Sequence, residues 1–163
     1  MLEIVVASRE SKEPLWQLFL EYADELSALD GETRPHIKRH YDYFDRFWTD
    51  ECRTPFAILY DHEHIGFCLL EDTGIEYKID DFYVRPLHRR RGFGLSAIEH
   101  VKEHCRSLAR HDTIAANVYV NNAPAIEFWK SAGFLDTGRR IRIGRLRLIR
   151  TEYCLSRSDS QGT

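Results

Sequence analysis

Residues 88–100 read HRRRGFGLSAIEH: Arg89, Arg90 and Arg91, then Gly92, Phe93 and Gly94, then apolar residues at helical spacing. A helix starting near Gly92 leaves its first backbone N–H groups without intrahelical partners. Those donors, with the positive end of the helix dipole, form a site for an anion. Glycine at 92 and 94 removes side chains that would hold a ligand off the backbone. The arginines add positive charge on the approach. The stretch therefore suits a phosphate or pyrophosphate. Taken alone it reads equally as a solvated turn, because glycine-rich turns are common. It has neither the G-x-G-x-x-G of a dinucleotide fold nor the G-K-[ST] of a nucleoside triphosphate loop.

Other chemistry is less favoured. Cys52, Cys68, Cys105 and Cys154 lie far apart with no C-x-x-C pair. Zinc or a disulfide framework is thus not expected, and reduced thiols in a cytoplasmic protein fit better. The histidines of DHEHIG (Asp61 to Gly66) read as a polar hairpin turn, so no metal site is expected. The 163 residues fit one domain, over 1–155, with 156–163 as a frayed tail. A net charge of -3 disfavours a general nucleic-acid binder. No apolar run approaches the ~20 residues that span a bilayer. The opening MLEIVVASRESKE reads as a first strand rather than a signal peptide.

The elements that must position the turn follow from periodicity. LEIVVA (residues 2–7) suits a strand. Residues 11–29 carry Leu15, Leu18, Phe19, Tyr22, Ala23, Leu26 and Leu29 at helical spacing. After the break LDGETRP, a second helix is expected over 36–48, with Ile37, Tyr41, Phe44 and Trp48 on one face. Residues 55–60 and 65–71 form a hairpin, and IEYKIDDFYV (75–84) is the next strand. A helix over 92–110 carries Leu95, Ile98, Val101, Cys105 and Leu108 as one stripe. A strand over 113–120, a helix over 123–132 stopped by Gly133, and two antiparallel strands over 139–155 complete the chain. The order is β-α-α-β-β-β-α-β-α-β-β. The strand–helix–strand unit between Ile75 and Val120 should form a parallel pair in an otherwise mostly antiparallel sheet, an α+β fold with helices packed on it.

Arg89-x-x-Gly92-x-Gly94, preceded by DDFYVRP and followed by an amphipathic helix, resembles the acetyl-CoA-binding motif of the GNAT acetyltransferase superfamily. NNAPAIEFWKSAGF (Asn121 to Phe134) is similar to that superfamily's later motif, through Asn122, Ala125, the aromatic pair Phe128–Trp129 and Gly133-Phe134. Two motifs in order are more specific than either alone. The resemblance implies a GNAT-like fold and an N-acetyltransferase that uses acetyl-CoA as cosubstrate and acetylates a primary amine of a small molecule or peptide. It implies that the strand before the turn splays from its parallel neighbour and that the pantetheine arm lies against Phe82, Tyr83 and Val84 like an added strand. The pyrophosphate would sit on the amides of Arg90, Arg91, Gly92, Phe93, Gly94 and Leu95. Asn122 and the helix around Ala125 would close over the thioester, unless Asn122 is only a helix cap.

Acetyl transfer needs a deprotonated amine, a polarised thioester oxygen and a neutralised thiolate. The Val84 N–H could serve the oxygen. The family's base, where one exists, lies early on this strand, where Asp80 and Asp81 stand. Alternation lets one face the substrate, and the resemblance favours Asp80; a bulge would reverse the parity, and both could simply solvate a strand edge. At 129 the sequence has tryptophan where many members have a tyrosine that protonates the sulfur. Indole is no useful acid near neutral pH. Trp129 could then merely pack, Tyr119 could substitute as the acid, or the protein could be a non-catalytic acyl-CoA-binding module.

The acceptor should enter over the first two helices and the last hairpin. Residues 39–48 offer aromatic walls and carboxylates for a cationic amine, or a helix with its aromatic face in the core. The arginines at 140, 142, 145, 147 and 150 read as an exposed strand face, an acidic-acceptor site or a homodimer contact. Neither a membrane nor nucleic acid is expected as partner.

Overall fold

The computed structural model describes residues 1–31 and 37–156, with the side chains of 37 and 38 excepted. The start of the second helix at His36, most of the preceding break and the tail 157–163 lie outside the described residues. Among the described residues, seven strands form one sheet: β1 (Leu2–Val6), β2 (Arg53–Tyr60), β3 (Glu63–Asp72), β4 (Tyr77–Val84), β5 (Thr113–Tyr119), β6 (Leu135–Ile143) and β7 (Leu146–Cys154). Their spatial order is β1-β2-β3-β4-β5-β7-β6. Every neighbouring pair is antiparallel except β4–β5, which is parallel. Among the described residues, four α-helices accompany the sheet: α1 (Lys12–Asp30), α2 (Ile37–Thr49), α3 (Phe93–Leu108) and α4 (Ala123–Ser131).

The helices bury their apolar residues on opposite faces of the sheet. Leu15, Leu18 and Phe19 of α1 and Phe44 and Phe47 of α2 pack on Ala57, Phe67, Leu69 and Tyr83. Ile98, Val101 and Cys105 of α3 and Trp129 of α4 pack on Phe56, Cys68, Leu70, Tyr77, Ile79, Ile114, Ala116 and Val118. The apolar face of α2 is centred on Phe44 and Phe47, and Tyr41 lies at its margin, 37% exposed. The α3 stripe is shorter than its sequence suggests, because Leu95 and Leu108 sit at the helix ends in solvent. Its buried lysine, Lys102, donates to the Ala132 carbonyl (2.6 Å) and lies over the Tyr153 ring (3.9 Å). That contact ties the C-terminal end of α4 to α3.

Two local features prepare the site. The β4–β5 ladder covers Tyr77↔Ile114, Lys78↔Ala115 and Ile79↔Ala116 and goes no further. Beyond Ile79 the two strands are unpaired with each other. In addition, the β3–β4 register slips: Leu69 faces Asp81 while Leu70 faces Ile79, so Asp80 is the extra residue of a bulge. On the other side of β4, Gly66 lets β3 approach closely. A Cβ there would collide with the Tyr83 carbonyl oxygen, a backbone atom that cannot swing aside. Gly66→Ala is therefore expected to cost about 1–3 kcal/mol of stability by overpacking, read by urea denaturation. A change below about 0.5 kcal/mol, the range of ordinary surface substitutions, would show that β4 is free to shift.

Candidate active site

The chain leaves β4 through a 3-10 turn at Pro86–His88 and enters α3 through Arg89–Gly92. Arg90 (φ 62°) and Gly92 (φ 79°) both lie in the left-handed region. Backbone alternating in and out of that region turns successive N–H groups toward one point, a concavity suited to an anion. Ser96 N–H, donating to Gly92 (3.0 Å), is the donor that closes the first turn of α3, so the amides before it are the open ones.

The two glycines serve different needs. A Cβ at Gly92 would meet nothing within 4 Å, so glycine is required there for its backbone angle. A Cβ at Gly94 would lie 2.9 Å from the Phe128 ring and 3.5 Å from Phe82, so that glycine makes room for α4. The arginines also divide. Arg89 Nε donates to the Val84 carbonyl (2.6 Å) and its Nη2 to Glu25 (2.8 Å), which tethers the turn to β4 and α1. Arg91 lies over the adjoining rings of Tyr60 and Phe93, 4.7 Å from each ring centroid. Arg90 is exposed.

Arg85 N–H donates to Ile65 on β3 (2.8 Å). Alternation then turns the N–H and C=O of Phe82 and Val84 toward β5, where the ladder has opened. Their side chains point to the α3–α4 side: Phe82 stacks on Phe128 (5.1 Å, 11°), and Val84 packs on Ala97. Tyr83 points to the α1 side, its hydroxyl 3.3 Å from Glu21, and burial pushes it up to about 12. Asn122 caps α4 by accepting from Ala125 N–H (3.3 Å). Trp129 is 7% exposed and packs edge-on to Phe82, Phe128 and Phe134, so it is a core residue of α4.

The bulge resolves the parity of the two aspartates differently from simple alternation, placing both on the α1–α2 face. Tyr43 donates to Asp81 Oδ2 (2.6 Å), and the Tyr22 hydroxyl hydrogen-bonds the same carboxylate. Burial raises Asp81, and the two hydroxyls oppose that rise. Burial and the Asp81 charge raise both tyrosines. Asp80 is different. Its side chain is 8% exposed and lies 3.0 Å from Lys78 Nζ. Burial, then a hydrogen bond with the Glu71 carboxyl, pushes it up to about 7, against the pull of Lys78. A carboxylate titrating there is poised to accept a proton near neutrality.

On β5, Ala116 and Val118 belong to the α3–α4 core, which leaves Asn117 and Tyr119 on the same face as the aspartates. Tyr119 lies within electrostatic reach of Tyr22. Two residues absent from the sequence-based set join here. Glu71 partners Asp80 and accepts from Arg53 Nη2 (3.1 Å). Asn117 carries a buried Oδ1 with no donor among the described residues. One polar residue inside the apolar run TIAANVYV was the available signal for Asn117; nothing marked Glu71.

A profile of the acetyltransferase (GNAT) family matches residues 15–134, and the chain belongs to that family. It is therefore an N-acetyltransferase of the acyltransferase class. No curated protein matches it significantly in sequence. Among solved structures, it is similar to the ribosomal-protein-S18-alanine N-acetyltransferase of Escherichia coli (17% identity, 100% of this chain and 99% of that one, TM-score 0.73). It is also similar to Arabidopsis thaliana NAA60 in complex with a bisubstrate analogue (15%, 94% and 98%, 0.72). A third similar structure is the Vibrio cholerae spermidine N-acetyltransferase in complex with CoA and spermine (15%, 95% and 96%, 0.69). At these identities the likeness is one of fold.

Proposed function

We propose that the protein, as one domain over residues 1–155, transfers an acetyl group from acetyl-CoA to a primary amine, with Asp80 as base. The observation that carries this reading is the opening between β4 and β5. It has unpaired backbone on one edge, an anion cradle at its α3 end and a near-neutral carboxylate at its start. The residues fit CoA: the amides of Arg90 to Leu95 suit its pyrophosphate, and the C=O of Phe82 and the N–H of Val84 suit its pantetheine amides, the Val84 carbonyl being held by Arg89. When bound, it supplies an acetyl group activated as a thioester.

The chain's own groups do the rest. Asp80 accepts the ammonium proton of the acceptor and releases it toward Glu71 and solvent. Phe82 N–H, turned to the same opening and nearer Asp80 than the Val84 N–H expected from sequence, donates to the carbonyl oxygen as negative charge develops there. Trp129 and Phe128 exclude water from the α4 side of the opening. Tyr119 is the hydroxyl assigned to protonate the departing sulfur, since Trp129 cannot. Its loss would cost less than loss of positioning, which supplies ~7–11 kcal/mol. The free thiols Cys52, Cys68, Cys105 and Cys154 suit a cytoplasmic setting. Among the described residues no helix is long and apolar enough to cross a membrane.

Mixing the protein with acetyl-CoA and a panel of amines should release free thiol, followed by its absorbance with a disulfide reagent. The buried tryptophan in place of a tyrosine favours a second reading, an acyl-CoA-binding module without turnover. CoA binding with no thiol release from any amine would select it.

A further inference from the structure

The charges around the opening bear on what the acceptor is, given the acetyltransferase reading above. Each neighbouring carboxylate already has a match. Glu71 takes Arg53; Glu76 and Glu152 share Arg150, the latter at 2.7 Å; Asp81 accepts from two tyrosine hydroxyls. Asp80 shares a hydrogen bond with Glu71, and among the described residues its cationic partner is Lys78, whose side chain is 33% exposed. The opening thus has a place for one ammonium. A second or third ammonium of a polyamine would find carboxylates already occupied. Two cations are engaged away from Asp80: Arg53 holds Glu71 and Arg150 holds Glu76 and Glu152, so neither stands ready for the carboxylate of a free amino acid.

Two further observations describe the group attached to the amine. Asp80 and Asn117 are the first positions past the last paired residues, Ile79 and Ala116, and they share a face across the opening. Asn117 Oδ1 has no donor among the described residues, and a buried acceptor without one is costly. Next on that face comes the row Tyr119, Leu148 and Ile141, aligned across β5, β7 and β6. That row has no charged side chain. The arginines at 140, 142 and 147 fall on the opposite face, paired with Ile149 or with each other in register.

We infer that the acceptor is the amino terminus of a peptide whose first side chain is apolar. Its amine meets Asp80, the N–H of its first peptide bond donates to Asn117 Oδ1, and its side chain lies along Tyr119, Leu148 and Ile141. A polyamine lacks the apolar arm, a free amino acid lacks the amide, and a simple alkylamine lacks the second donor.

The test compares initial rates with saturating acetyl-CoA for five acceptors: a leucine-first tetrapeptide amide, the same peptide starting with aspartate, spermidine, free leucine and butylamine. The leucine-first peptide is expected to exceed each of the others in kcat/KM by about tenfold or more. Spermidine, free leucine, butylamine or the aspartate-first peptide ranking first would overturn this inference while leaving the acetyltransferase reading intact. No turnover of any acceptor by a protein that binds CoA would overturn that reading, and this inference with it. Asn117→Ala separates recognition from folding. It should raise KM for the leucine-first peptide about tenfold, with kcat nearly held, the loss of about one hydrogen bond. It should change KM for butylamine about twofold at most. Equal effects on both acceptors would show that Asn117 does not read the amide.

Discussion

Asp80→Asn is expected to lower kcat for amine acetylation by about 10²–10⁴-fold, the usual worth of a positioned general base, while CoA affinity stays as in the wild type. The pH profile sharpens the expectation. Asp80 is raised to about 7 by burial and by its bond with Glu71. The wild-type rate should therefore rise with pH through about 7, and the variant should lack that limb. Stability should move the other way. A carboxyl whose folded value lies above its unfolded one adds stability that is complete below the unfolded value and is lost as pH rises through the folded one. Asparagine does not ionise, so the variant should have the higher unfolding midpoint at pH 8, and the gap should close toward pH 4. Asp81→Asn should instead weaken the fold through Tyr43 and Tyr22 and keep the limb. The opposite pairing of phenotypes would mean that the base is Asp81.

Gly92→Val is expected to weaken CoA binding by tenfold or more, read by titration calorimetry. Valine at φ 79° opposes the left-handed conformation by roughly 1–2 kcal/mol. The turn then relaxes and its amides no longer converge. A Cβ there touches no other residue, so the unfolding midpoint should fall only slightly. Gly94→Ala offers a contrast, because it pushes on Phe128 and through it on Phe82 and α4. Unchanged affinity in Gly92→Val would mean that the backbone cradle is not what holds the diphosphate.

The order of elements was legible because each has a clean period and a stop: Gly92, Gly133 and Gly144 fall at an element's start, end and turn. The turn at Asp61-His62, both at positive φ, was likewise plain from its composition. What escaped depends on partners distant in the chain. The bulge at Asp80 is set by the register against Leu69 and Leu70, which the local pattern IDDF does not contain. Strand β6 begins at Leu135, earlier than its alternation suggests, because a register shift between Asp136 and Arg140 makes DTG look like a loop. The partner of Arg89, Glu25, lies 64 positions away. The site followed the same division. The glycine turn and the aspartate pair were visible as motifs, whereas Asn117 and Glu71 acquire meaning only beside Asp80.

The most direct test of the whole account is a crystal structure with coenzyme A bound. The diphosphate should lie on the amides of Arg90 to Leu95, with the pantetheine running along Phe82 and Val84 inside the β4–β5 opening and the sulfur directed toward Asp80. Density for the diphosphate at any other place, or none at millimolar coenzyme A, would contradict it.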